Sequence, residues 1–90
     1  MENNFTVGDV VLSLCGHDKN RLYIVVAIDK INEIVIIDGK YHLRENPKKK
    51  NPKHLQKVAH DDFIIEKVNS KIATNAEIHK LIKAHKQIKE

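Results

Sequence analysis

Short apolar runs separated by polar turns fill the first two thirds of the chain. From Val7 to Cys15, Val10, Leu12 and Leu14 alternate with Asp9, Val11 and Ser13, which is the period of two expected of a half-buried strand. Gly16-His17-Asp18-Lys19-Asn20 breaks the alternation with turn-forming residues, Asp18 among them. Leu22 to Ile28 is rich in β-branched residues and too short for an independent helix, so it reads as a buried strand that takes Tyr23 into the core. After a turn at Asp29 to Asn32, Glu33 to Ile37 forms a third strand. Asp38-Gly39 then supplies the residue pair that a tight hairpin requires, with Lys40 to Glu45 as the antiparallel partner. Pro47 and Pro52 bracket the next stretch, and because proline cannot donate to a ladder this segment is an exposed loop or a sheet edge. A fifth strand is predicted around His54 to Val58.

The pattern changes after His60. Asp61 and Asp62 precede Phe63-Ile64-Ile65-Glu66-Lys67-Val68, where early acids suit a helix N-terminus, although the residues also fit a strand. Thr74-Asn75-Ala76-Glu77 is a capping box, so a helix is predicted from Asn75 to about Lys89. Ile78, Leu81, Ile82, Ala84 and Ile88 form its apolar stripe, leaving its lysines to water. The expected architecture is mainly β: a five-stranded antiparallel barrel over residues 5–59, followed by an α-helical extension over residues 60–90.

Ninety residues, 41% of them hydrophobic, fit one small domain. The longest apolar run, Ile24 to Ile28, is far short of the roughly 20 residues that cross a bilayer. Met1 to Phe5 has no positive cluster and no apolar segment of the kind that opens a secretory signal, so the expected location is cytoplasmic. The one cysteine, Cys15, cannot form an internal disulfide or a thiolate zinc ribbon and reads as a small buried residue. His17, His42, His54, His60, His79 and His85 include no pair at the spacing that places two imidazoles on one metal. No phosphate cradle, nucleophile elbow or paired catalytic carboxylates appear. The expectation is a protein without catalytic residues, metal or cofactor.

Charge changes this picture. Lys40, Arg44, Lys48, Lys49, Lys50, Lys53 and Lys57 face one acid, Glu45, between Lys40 and His60, a local balance of +6 in a chain whose net charge is +4. A basic excess confined to one segment is the footprint of a polyanion partner, or else a solvated loop.

The residues Val7-Gly8-Asp9-Val10-Val11-Leu12-Ser13-Leu14-Cys15-Gly16-His17-Asp18-Lys19-Asn20-Arg21-Leu22-Tyr23-Ile24-Val25-Val26 resemble a KOW motif: a Gly-Asp pair opening a strand, a glycine at its end, a polar loop with a lysine, and a second apolar strand. Ile37-Asp38-Gly39-Lys40 and the run Pro-Lys-Lys-Lys-Asn-Pro-Lys-His-Leu at 47–55 narrow the likeness to bacterial KOW-domain RNA-binding proteins. Those proteins are similar to a group of large-subunit ribosomal proteins of archaea and eukaryotes. The resemblance implies an SH3-like barrel that binds RNA, commonly ribosomal RNA, through loops at one end, with the ribosome or its large subunit as partner. Many KOW loops have glycine after the lysine. This chain has Asn20, which tolerates the left-handed region better than most residues.

Two groups of residues follow as candidates for RNA contact. His17, Lys19, Asn20 and Arg21 form the KOW-like loop, where cations and hydrogen-bonding groups can hold a phosphate or read an unstacked base. Lys40, Arg44, Lys48, Lys49, Lys50, Lys53, His54 and Lys57 form the basic segment, whose expected role is phosphate contact without sequence preference. With four aromatic residues and no tryptophan, successive bases have no platform to stack on, and Tyr41 is a weak stacking candidate. A protein-interaction module is the rival reading: the barrel or the C-terminal helix docks a protein partner and the lysines are only solvated.

Overall fold

The computed structural model describes residues 5–17, 19–31, 33–69 and 74–88. Its strands are β1 (Asp9–Ser13), β2 (Leu22–Ile28), β3 (Ile34–Ile37), β4 (Lys48–Lys50) and β5 (Leu55–His60), with a 3₁₀ turn at Pro52–His54; helices α1 (Asp62–Asn69) and α2 (Asn75–Ile88) follow. All strand pairs are antiparallel, in the order β4-β3-β2-β1-β5. The chain is thus mainly β with C-terminal helices, and the segment after His60 is a helix rather than a strand. Asp61 starts it by accepting a hydrogen bond from the Phe63 N–H at 2.9 Å.

The sheet is apolar on both faces. Val10, Leu22, Ile24 and Ile37 pack with Ile64 of α1 and with Ile78 and Ile82 of α2. On the other face Val11, Tyr23, Val25, Ile34, Ile36 and Leu55 form a second cluster. β1 is therefore buried on both sides, not on one as its alternation suggests. Its polar residues are tolerated because they are bonded: the Asp9 carboxylate accepts from the Thr6 N–H at 2.8 Å and meets His60. Leu14 lies beyond the end of β1 and is exposed.

Two strands arise differently from the sequence expectation. Lys40 to Glu45 is not the partner of β3; Lys48 to Lys50 is, with Ile36 opposite Lys48 and Ile34 opposite Lys50. The cause is Asp38, whose Oδ1 accepts from the backbone N–H groups of Lys40, Tyr41 and His42 at 2.8–2.9 Å. Three donors gathered on one carboxylate close the backbone into a compact loop and leave them no ladder to join. Asn75, at the start of α2, holds that loop. Its Oδ1 accepts from the Arg44 N–H and its Nδ2 donates to Glu45, both at 2.9 Å.

β4 and β5 are the two edges of the sheet, and yet only residues 51–54 join them. Edges of a flat five-stranded sheet stand roughly 19 Å apart, whereas a three-residue 3₁₀ turn advances roughly 6 Å. The sheet must coil, and its contacts show that it does. The Lys50 Nζ on β4 reaches Ser13 Oγ on β1, a strand that is not its neighbour in the sheet. Register shifts at Val10/Val11 and Val25/Ala27 mark bulges that add to the bend. No ladder joins β4 to β5 among the described residues, so the sheet is open.

The capping box forms as the sequence predicts: the Thr74 N–H donates to Glu77 Oε1 at 2.9 Å and the Glu77 N–H to Thr74 Oγ1 at 3.2 Å. Ile78 and Ile82 are buried, Leu81 partly so, and Ala84 exposed, while the side chain of Ile88, Lys89, Asp18 and Asn32 lie outside the described residues.

Candidate nucleic-acid interface

β1 and β2 are joined by a loop built on left-handed backbone. Gly16 has φ +86° and Asn20 φ +72°, so asparagine here holds a backbone conformation that glycine adopts most readily. The Lys19 N–H bonds to the Gly16 carbonyl at 3.2 Å, and the Asn20 N–H to the Ser13 carbonyl at 2.8 Å. These two bonds fold the loop back on β1 and expose His17, Lys19, Asn20 and Arg21 together.

Arg21 continues into a second group. Its guanidinium carbon lies 4.4 Å from the centre of the Tyr41 ring, over which Lys40 Nζ also sits at 5.1 Å. Asp38 sets both neighbours in place through its bonds to the Lys40 and Tyr41 N–H groups. A cavity of about 300 Å³ opens here, with Arg21, Lys40 and Tyr41 on one side and His79, Ile82 and Lys83 of α2 on the other. Gly39 lets the loop approach the helix this closely: at φ +78°, it lies where a Cβ would run into the Asn75 carbonyl and come 2.9 Å from the His79 nitrogen.

The lysines of the basic segment do not act as one patch. Lys50 is buried, its Nζ donating to Ser13 Oγ at 2.7 Å and to the Cys15 carbonyl at 3.0 Å. It is a bracket between β4 and the end of β1, which corrects the expectation that this whole stretch lies outside the core. Lys49, next along the strand, points to the other face and bonds Asp29 at 2.9 Å. The Asp29 carboxylate holds its ammonium above the ordinary lysine value, and Asp29 is itself held low, first by that hydrogen bond and then by the Lys30 N–H. A phosphate arriving at Lys49 has to compete with Asp29. Lys57 faces Asp9 at 3.5 Å. Lys53 and His54 are exposed on the 3₁₀ turn, which Asn51 caps through the Lys53 N–H. Lys48 and Arg44 are half-buried.

Sequence reasoning missed Lys83 and His79, because a helix predicted to pack by its apolar stripe gives no sign of which loop its polar residues will meet. Cys15 is partly exposed rather than buried, and its carbonyl serves the Lys50 bracket. Among the described residues no group of three or more metal-ligating side chains occurs, and no helix is long and apolar enough to cross a membrane.

At the opposite end of β1, His60 bridges two carboxylates, with Nδ1 2.6 Å from Asp9 and Nε2 3.0 Å from Asp62. The bond to Asp9 first, and then that to Asp62, raises its pKa above the ordinary 6.5. A folded-state pKa above the unfolded one gives stability that is fully present below about pH 6.5 and is lost as pH rises through the folded value. Denaturant midpoints measured from pH 6 to 8.5 should therefore fall with rising pH in the wild type and flatten in His60→Gln. An equal slope in the two proteins would mean that the bridge does not couple to folding.

No family model matches the chain, and none of the curated proteins compared with it is significantly similar.

Proposed function

We propose that this chain is a KOW-type RNA-binding protein of the cytoplasm, with an SH3-like coiled sheet that holds structured RNA, ribosomal RNA on the ribosome or its large subunit being the target the resemblance suggests. The observation that carries the reading is the convergence of Arg21, from the KOW-like loop, with Lys40 and Lys83 around one cavity. Three cations from three separate parts of the chain meet there. Asp38, the acid in that wall, already has one oxygen engaged by three backbone donors. Lys19 extends the positive surface along the loop, and the exposed Lys53 and His54 offer further phosphate contacts. The strand order, and the short link between the two edge strands, support the SH3-like description.

The test is the salt dependence of binding to a structured ribosomal fragment. In Lys19→Gln/Arg21→Gln/Lys40→Gln, affinity should fall for all RNA sequences. The slope of log affinity against log salt should become shallower by roughly 0.7 for each phosphate that is no longer neutralised, or roughly 2 in all. Superimposable lines for wild type and variant would remove the loop from the interface. RNA-independent copurification with one protein would move the function to a protein-interaction module.

A further inference from the structure

We propose that the cavity between the Asp38–His42 loop and α2 receives a single unstacked nucleotide of the bound RNA, so that the protein prefers a bulged or flipped base to a continuous duplex. The inference rests on the RNA-binding reading and says what the cavity among those cations receives. Phosphate contacts alone call for exposed cations on an open surface, and this chain has those on its loop and 3₁₀ turn.

The cavity is built differently. Its volume of about 300 Å³ is at the lower bound of small-molecule sites, which limits the occupant to one heterocycle with its sugar and phosphate. Its walls divide by chemistry. Leu22 and Ile82, otherwise buried in the core, form the apolar part, while Arg21, Lys40 and Lys83 stand around it as cations. Tyr41, an aromatic residue that is 57% exposed, completes it. The Arg21 guanidinium lies over its ring, and bases stack on both tyrosine rings and guanidinium planes.

Hydrogen-bonding capacity is also present. Asn20 and His79 both line the cavity, and the His79 Nδ1, which is shut off from solvent, lacks a hydrogen bond among the described residues. Most buried polar atoms in folded proteins are bonded, so an unused one on a residue of the cavity wall points to a turn of the His79 ring that brings it to a ligand. A duplex cannot supply a base to such a recess without unpairing it, and the cost is least where the base is already unpaired.

The experiment compares two RNA hairpins of equal length, one fully paired and one with a single-adenosine bulge, and adds adenosine monophosphate as a third ligand. Wild type should bind the bulged hairpin roughly tenfold more tightly than the paired one, the order expected for stacking of one base. In Tyr41→Ala that ratio should fall to near one. Because it is a ratio, general losses of affinity cancel. Without any variant, the Leu22 and Ile82 methyls and the Tyr41 ring protons of the wild type should shift with the bulged RNA and stay in place with the paired one. Equal binding of the two hairpins, or a preference that survives in Tyr41→Ala, overturns this site and leaves RNA binding intact. Failure of both hairpins to bind overturns the RNA reading and the site with it. Adenosine monophosphate binding as tightly as the bulged hairpin also overturns the proposal, since the pocket would then serve a free nucleotide.

Discussion

Gly39→Ala should be among the most damaging single-methyl changes in this protein, lowering stability by about 3–5 kcal/mol. Two independent costs combine. At φ +78° an L side chain is strained by roughly 1–2 kcal/mol. The added methyl group would also collide with the Asn75 carbonyl and the His79 nitrogen, which are backbone atoms in the first turns of α2 and cannot rotate away. Relief requires the helix to move, and α2 carries Ile78 and Ile82 into the core. Each buried isoleucine contributes about 1.5–3 kcal/mol, so even partial lifting of the helix adds appreciably. A 90-residue domain has a total stability of roughly 5–13 kcal/mol. The denaturant midpoint should drop sharply, and amide exchange at Ile78 to Ile82 should accelerate more than at β1. A midpoint within error of wild type would show that loop and helix are not in contact as described.

The second large effect is expected at Lys50. Lys50→Glu places a carboxylate against the Ser13 hydroxyl and the Cys15 carbonyl, where an ammonium now donates to both. A buried charge without its partners costs about 3–5 kcal/mol, and here the new charge also faces a carbonyl oxygen of like sign. Lys53→Glu, on the exposed 3₁₀ turn, should change stability by less than about 0.5 kcal/mol, as surface substitutions usually do. Thermal melting of the two variants side by side tests this. Equal melting temperatures would contradict the bracket between β4 and β1. The contrast also bears on RNA work: a variant that removes all the lysines of the basic segment together confounds folding with binding, whereas one that keeps Lys50 does not.

Lys50 and Lys53 also show where a sequence stops being informative. Both are lysines near proline in a basic run, and local pattern gives each the same solvated role. What separates them is that Lys50 lies on a strand whose coiling brings it to Ser13, a residue 37 positions away. Local chemistry was legible wherever it decides local structure. The capping box at Thr74, the acidic start of α1, the left-handed Asn20 and the strands β1 and β5 all appear close to where the residues place them. Asp38-Gly39 misled because the same pair serves two ends. It closes hairpins, but here the aspartate side chain takes three backbone donors and Gly39 makes room for a helix that starts 36 residues later. The site was half legible for the same reason: the KOW-like loop announced Arg21, while Lys83 and His79 became neighbours of the loop only through the packing of α2.

Pairing Asp9 with His60 also fixes when the sheet can be completed. The two are 51 residues apart, so β1 waits for its second neighbour until nearly two thirds of the chain exists. At roughly 5–20 residues per second, a growing chain holds β1 open on that side for about 3–10 s. Loop-closure entropy rises only slowly with length, so the delay is a matter of order of arrival more than of free energy. During that interval the strand buried on both faces in the finished fold has β2 alone for shelter. The nascent protein is therefore open to wrong partners along that edge before β5 emerges, and the face of β1 that carries Val10 waits longer still, for Ile64 of α1 and Ile78 and Ile82 of α2.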